Sequence, residues 1–229
     1  MSPLHLHSQI PQSALLLTAA AIPIAGWALH VRALHRRLGG DSLSGALRRP
    51  EFERRARRII RRHQGEVLLC VVDLDYLKRI NDNWGHEAGD AAVAATGARL
   101  VRWAGDGAVG RFGGDEMAAI TWVPAASDPT VVARAQRHKL SELKRMLSEP
   151  VDTPTGPMPV GVSVGGASAL HLGVTDLPDL LRGADVAMYR TKHQPFPGWA
   201  EQSDLRARRV NGRRKGRPGT ALAVESQPA

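Results

Sequence analysis

Cysteine is nearly absent. Of 229 residues one, Cys70, is a cysteine, which excludes an intrachain disulfide framework and any metal site built from several thiolates. Residues 1–31 contain no Lys, Arg, Asp or Glu. No internal repeat is found. What is present is positive charge, +9 overall, unevenly placed. Residues 32–62 hold 11 basic and 3 acidic residues, residues 63–194 hold 13 and 16, and residues 195–229 hold 7 and 3. A basic balance of this size points to nucleic acid, an anionic membrane surface or a phosphorylated ligand. The stretch long enough to fold is mildly acidic, however. A nucleic-acid-binding core is therefore not expected, because its basic patch would lie within the fold. Apolar residues make up 43% of the chain, enough for one core and too many for wholesale disorder. The length suits one domain with extensions.

The charge-free N-terminus contains the run ALLLTAAAIPIAGWAL at residues 14–29. Extended to residues 13–31, it reaches the lower limit for spanning a bilayer. Pro23 is tolerable in a membrane helix, and Trp27 suits an interface. Arg32, Arg36 and Arg37 follow at once, so the positive-inside rule places the C-terminal bulk in the cytoplasm. A cleaved signal peptide would carry its positive charges before the apolar run. The expectation is a single-pass anchor at the cell membrane, with residues 1–12 outside and a basic linker at 32–40; the alternative is a buried or interfacial helix. Arg54, Arg55, Arg57, Arg58, Arg61 and Arg62 lie on a predicted helix over 49–63, with Phe52, Ile59 and Ile60 as its apolar contacts. They read as a solvated face that also suits anionic headgroups, at roughly 1 kcal/mol per residue near the surface.

Residues 66–74, EVLLCVVDL, predict a buried central strand, with Cys70 as a small core residue. A short helix and a loop follow, interrupted by Gly85 and Gly89. Asp90 is expected to cap a helix over 90–103. Strands near 108–112 and 116–123 flank Gly113-Gly114 as a hairpin. A helix over 130–147, a strand over 159–167 and a helix over 176–192 capped by Asp176 complete the pattern. The fold class is α/β, with a partly antiparallel sheet.

Two features carry chemistry. Asp73-Leu74-Asp75 ends the buried strand, where one carboxylate could hold Mg²⁺, an ion that takes oxygen ligands and usually one or two carboxylates. The two acids are read as pointing to opposite sides, so they need not share a ligand. Gly113-Gly114-Asp115-Glu116 forms the hairpin tip, where glycines allow close approach of a ligand to the backbone. Each motif alone is a common surface turn. Brought together, with Lys78 and Lys192 near, two acid-bearing strand ends would suit metal-assisted phosphoryl or nucleotidyl transfer.

Five segments in order resemble the GGDEF family, the diguanylate cyclase domains that condense two GTP into cyclic di-GMP. Asp41-Ser42-Leu43-Ser44-Gly45-Ala46-Leu47 is similar to D-x-L-T-G-L, and Asp73 through Lys78 to D-I-D-x-F-K. Ile80-Asn81-Asp82 with Gly85-His86 and Gly89-Asp90 is similar to I-N-D-x-x-G-H-x-x-G-D. Arg111-Phe112-Gly113-Gly114-Asp115-Glu116-Met117 is similar to R-Y-G-G-D-E-F, and Ala184 through Lys192 to A-D-x-A-M-Y-x-A-K. The resemblance covers residues 41–194. It implies a nucleotidyl-cyclase, palm-like sandwich with a central mixed sheet surrounded by helices, here preceded by the membrane helix.

It also implies roles. Asp73 and Asp115, with the Leu74 carbonyl, would hold Mg²⁺, or Mn²⁺ in its place. Asn81 and Asp90 would read the guanine edge, which offers N–H donors to a carboxylate and acceptors to an amide, and His86 would help hold the nucleotide. Lys78 and Lys192 would neutralise the triphosphate at the Gly113-Gly114 backbone. Asp115 with Glu116 would take the proton from the attacking 3′-hydroxyl, and Lys78 counts with them as catalytic. Arg111 and Asp185 read as structural and Tyr189 as core. One domain binds one GTP and the product needs two, so a two-fold homodimer is implied; the anchor would raise its effective concentration.

The pattern departs at three places. Met117 replaces the motif's Phe and should fill its space in the core. After Lys192 the family continues to G-R-N, whose Arg contacts phosphate; this chain reads His193-Gln194-Pro195-Phe196-Pro197-Gly198-Trp199 and has no Arg there. The family's inhibitory R-x-x-D is also missing, Arg102 and Asp106 being separated by three residues. The alternative to an active cyclase is thus a catalytically weak domain that binds GTP as a sensor or protein-interaction module. Residues 195–229 read as a disordered basic tail.

Overall fold

The computed structural model describes residues 40–206, except 125 and 127. The chain divides after Gly40 into two units, the second beginning at Asp41. Residues 1–39, with the expected membrane helix at 13–31, and the tail from 207 lie outside the described residues. Among the described residues no helix is long and apolar enough to cross a membrane.

The order is β1 (Leu47–Arg48), α1 (Arg49–His63), β2 (Val67–Asp75), α2 (Leu77–Trp84), α3 (His86–Ala104), β3 (Ala108–Arg111), β4 (Glu116–Trp122), α4 (Pro129–Leu147), β5 (Val151–Thr153), β6 (Gly156–Met158), β7 (Gly161–Ser168), α5 (Ala169–Leu172), α6 (Leu177–Arg190) and β8 (Gly198–Trp199). A six-stranded mixed sheet runs β1-β3-β4-β2-β7-β8, and β5 and β6 form a separate hairpin. β2 pairs antiparallel with β4 on one side and β7 on the other.

All nine residues of β2 are buried because helices cover both faces of the sheet. Leu68, Cys70, Val72 and Leu74 pack into one core with Ala92, Val93 and Leu100 of α3 and Leu140, Leu143 and Leu147 of α4. Val67, Leu69 and Val71 pack into the other, with Phe52, Ala56, Ile59 and Ile60 of α1 and Leu177, Leu180, Ala184 and Met188 of α6. Each Val, Leu, Ile, Phe or Met side chain among these contributes about 1.5–3 kcal/mol on full burial, so the strand that presents Asp73 is firmly held. Cys70 and Met117 are core residues, as expected.

Several expectations are corrected. Asp73 and Asp75 do not point to opposite sides. They continue the Val67–Leu69–Val71 row, since residues two apart on a strand share a face, and their charges repel one another. The segment after Gly85 is not a loop. Gly85, at φ +86°, ends α2 and opens α3 in one step, so Asp90 lies inside α3 and caps nothing. Tyr189 is exposed rather than core, because Met188 takes the inward position of α6.

Residues 195–206 are not part of a disordered tail. β8 pairs parallel with β7, Trp199 and Ala200 are buried, and a 3₁₀ turn spans Gln202–Arg206. Arg190 holds this stretch, donating to buried Asp204 at 2.8 Å and to the Trp199 carbonyl at 2.7 Å. Asp176 caps α6 as expected, accepting from the Asp179 N–H. The six arginines from Arg54 to Arg62 all lie on the solvated face of α1.

Candidate active site

The two acid-bearing segments meet. In the β2–β4 ladder Asp73 stands opposite Glu116, and one residue on the Leu74 N–H donates to the Asp115 carbonyl at 3.1 Å. The expected metal-site residues Asp73, Leu74 and Asp115 thus converge through backbone pairing. Gly113 and Gly114 are exposed at the tip. Arg111 braces the turn: its guanidinium donates to the carbonyls of Gly113 at 3.1 Å and Gly114 at 2.7 Å, and to Asp41 Oδ1 at 2.9 Å.

Asp41 also accepts from the Ser44 N–H at 2.8 Å and hydroxyl at 2.7 Å. Burial works against its charge, but these bonds and Arg111 hold its pKa down at about 2. The structural reading of Arg111 is borne out. The role of Asp41 was missed, although an Asp three residues before a Ser signals a side-chain-closed turn.

Lys192 Nζ lies 3.0 Å from Asp73 Oδ1. Burial lowers the lysine's pKa, but attraction to Asp73, Asp75 and Asp115 outweighs it and the net direction is upward. Burial pushes the Asp73 carboxyl above its ordinary range; Lys192 opposes that, while Asp115 and Asp75 add to it. Glu116 is likewise pushed up by burial, then by Asp115, Asp73 and buried Asp185, with Lys192 opposing. Asp73, Asp75, Asp115, Glu116 and Asp185 outnumber the ammonium groups of Lys192 and buried Lys144, which leaves an excess of negative charge at this end of the sheet.

α2 begins two residues after Asp75, so its polar residues stay near that end. Lys78 is exposed on its first turn. Asn81 lies against α3: a Cβ on Gly89 would sit 1.8 Å from Asn81 Oδ1. Only glycine admits the amide there, one position along α3 from Asp90. Asp90 and His86 are exposed on the same helix. Asn81, His86 and Asp90 thus lie on or against the first turns of α3.

Among the described residues no group of three or more His, Cys, Asp or Glu side chains is gathered as a metal site. Two carboxylates, a carbonyl and uncompensated negative charge nevertheless fit Mg²⁺, which completes its shell with water and substrate phosphates. A cavity of about 450 Å³ lies elsewhere, between α1 and α6, lined by Arg49, Glu53, Arg57 and Arg182 among others. It contains none of these residues.

Known proteins resemble this chain over the same stretch of sequence. The family model for the diguanylate cyclase GGDEF domain matches residues 39–197. The chain is 40% identical over 186 residues to an uncharacterized 19.3 kDa protein in the repSA 5′ region of Streptomyces ambofaciens, covering 80% of this chain and 93% of that one. It is 34% identical to the probable diguanylate cyclase DgcC of Escherichia coli, covering 71% of this chain but 43% of DgcC, so it spans less than half of that relative. Among solved structures, the GGDEF domain of YfiN from Pseudomonas aeruginosa superposes with a TM-score of 0.61 at 28% identity, covering 73% of this chain and 97% of that domain.

Proposed function

The chain belongs to the GGDEF diguanylate cyclase family, and from that premise we propose that it condenses two GTP into cyclic di-GMP and two pyrophosphates as a Mg²⁺-dependent homodimer. The observation that carries this reading is the junction of Asp73 and Leu74 with Asp115, beside Lys192. Mg²⁺ held by Asp73, Asp115 and the Leu74 carbonyl, or Mn²⁺ in its place, would neutralise phosphate charge and acidify the attacking hydroxyl. Asn81 and Asp90 orient the guanine edge, and His86 helps hold the nucleotide. Lys78 and Lys192 balance the triphosphate over the Gly113-Gly114 backbone. Asp115, with Glu116 beside it, accepts the 3′-hydroxyl proton. Each 3′-hydroxyl attacks the α-phosphate bound by the other protomer, which requires two domains face to face. Residues 13–31 anchor the chain in the cell membrane, with this domain on the cytoplasmic side; no nucleic acid is a partner.

A second reading has one observation in its favour. Where the family carries a phosphate-binding Arg, this chain has Pro195-Phe196-Pro197, with Phe196 exposed. A domain that binds GTP and turns it over weakly, as a sensor or interaction module, would follow. Incubating the full chain with GTP and Mg²⁺ and resolving the products by chromatography separates the two. Cyclic di-GMP accumulation is expected; GTP binding without product at high protein concentration would favour the second reading.

A further inference from the structure

Asp75 is the acid of the Asp73-Leu74-Asp75 motif that the proposed chemistry leaves unused, and it is buried. Two groups converge on its Oδ1. The hydroxyl of Ser163, on β7, donates at 2.7 Å, and His193 Nδ1 lies at 3.0 Å. A carboxylate only accepts, so Nδ1 carries the proton. The ring closes through the backbone, the His193 N–H donating to Ser163 Oγ at 3.0 Å. Ser163 is fully buried and so has Asp75 and the His193 amide as its two partners.

His193 is held in an unusual conformation. Its φ is +64°, and it stacks on Tyr76, itself at φ +57°, with ring centroids 4.6 Å apart. Left-handed backbone at side-chain-bearing residues persists only where the surroundings hold it. Here the buried carboxylate, the serine and the tyrosine ring do so. The next residue back is Lys192, whose ammonium reaches Asp73.

We propose that Asp75, Ser163 and His193 form a latch that fixes the backbone after α6, making His193 a positioning residue that aims Lys192 at the triphosphate pocket. The latch lies just before the segment where the family's Arg is missing, so it secures one of the phosphate-binding cations this chain retains. The proposal rests on the assignment of Lys192 to GTP made above.

Titration calorimetry on the full chain with Mg²⁺ tests it, using GTP and GMP as probes; GMP lacks the two outer phosphates. His193→Gly accepts the positive φ but removes the donor to Asp75. His193→Asn tolerates the same φ and keeps an amide donor. The Gly variant is expected to weaken GTP about tenfold, the scale of one lost charge-assisted hydrogen bond, with GMP affinity unchanged, and the Asn variant to restore GTP binding. Adding His193→Gly to Lys192→Ala should produce no further loss, because the histidine acts through the lysine. Equal losses of GTP and GMP, a Gly variant that binds GTP normally, or full additivity with Lys192→Ala would each overturn the latch. If Lys192→Ala itself leaves GTP affinity intact, the Lys192 assignment fails and the latch's role with it; if Lys192→Ala weakens GTP and His193→Gly does not, the latch alone fails.

Discussion

Arg111 Nη1 donates to Asp41 Oδ1 at 2.9 Å across 70 positions of sequence. The same guanidinium holds the carbonyls of Gly113 and Gly114. The opening turn of the domain and the hairpin tip beside the candidate metal ligands are thereby joined by one side chain.

That pair sets a pH dependence. Asp41 has a folded pKa of about 2 against an ordinary 3.8. A depressed carboxylate contributes stability above its unfolded pKa and loses it as pH falls through the folded value. Asp41→Asn should therefore cost about 1 kcal/mol near neutrality, discounted for the pair's partial exposure, and the difference from wild type should shrink between about pH 4 and pH 2. Urea unfolding at several pH values measures it; a constant difference across that window would refute it.

Asp115 stands where both metal binding and proton acceptance are assigned. Asp115→Ala is expected to lower cyclic di-GMP production by at least about a hundredfold, the lower range for losing a general base, with the fold intact by circular dichroism. Wild-type turnover in this variant would show the site to be misplaced.

Gly89 leaves room for Asn81. Gly89→Ala should displace that amide, destabilise the protein by about 1–3 kcal/mol as overpacking does, and reduce the preference for GTP over ATP. Thermal melts and competition binding read the two effects separately. An unchanged GTP preference would mean that Asn81 does not read the base.

Cys70 is fully buried in β2, and burial pushes its thiol up to about 12. The thiolate is the reactive form. A thiol reagent at pH 8 should leave the native protein unmodified and label one cysteine per chain once it is unfolded in urea. Rapid labelling under native conditions would contradict the central placement of β2.

Arg102 and Asp106 are both exposed but fall one residue out of the family's inhibitory spacing. Titration with cyclic di-GMP should show no tight binding that depends on Arg102. A high-affinity isotherm lost in Arg102→Ala would restore product feedback.

Much was legible along the chain because local signals carried it. The helix predicted over 49–63 is found at Arg49–His63, since Phe52, Ala56, Ile59 and Ile60 recur at helical spacing under a solvated arginine face. The glycine-tipped hairpin, the Asp176 cap and the buried strand were readable for the same reason. The short strands β1, β5, β6 and β8 were not, because two or three residues carry no periodicity and exist as strands only through distant partners. Residues 195–206 looked like tail by composition. Their order comes from pairing with β7 and from Arg190 clasping Asp204, neither of which leaves a local mark.

By itself the sequence determined the family, the identity of the acids and lysines, and the segments that carry them, since motif spacing and hydrophobic period are properties of nearby residues. Only the tertiary structure decided which partners each carboxylate meets. Strand parity, a local property, already puts Asp73 and Asp75 on one face; the β2–β4 register brought Asp73 to Glu116 and Asp115, while Ser163, 88 positions away, and His193 claimed Asp75. Hydrogen bonds between residues so far apart are made by packing the sheet.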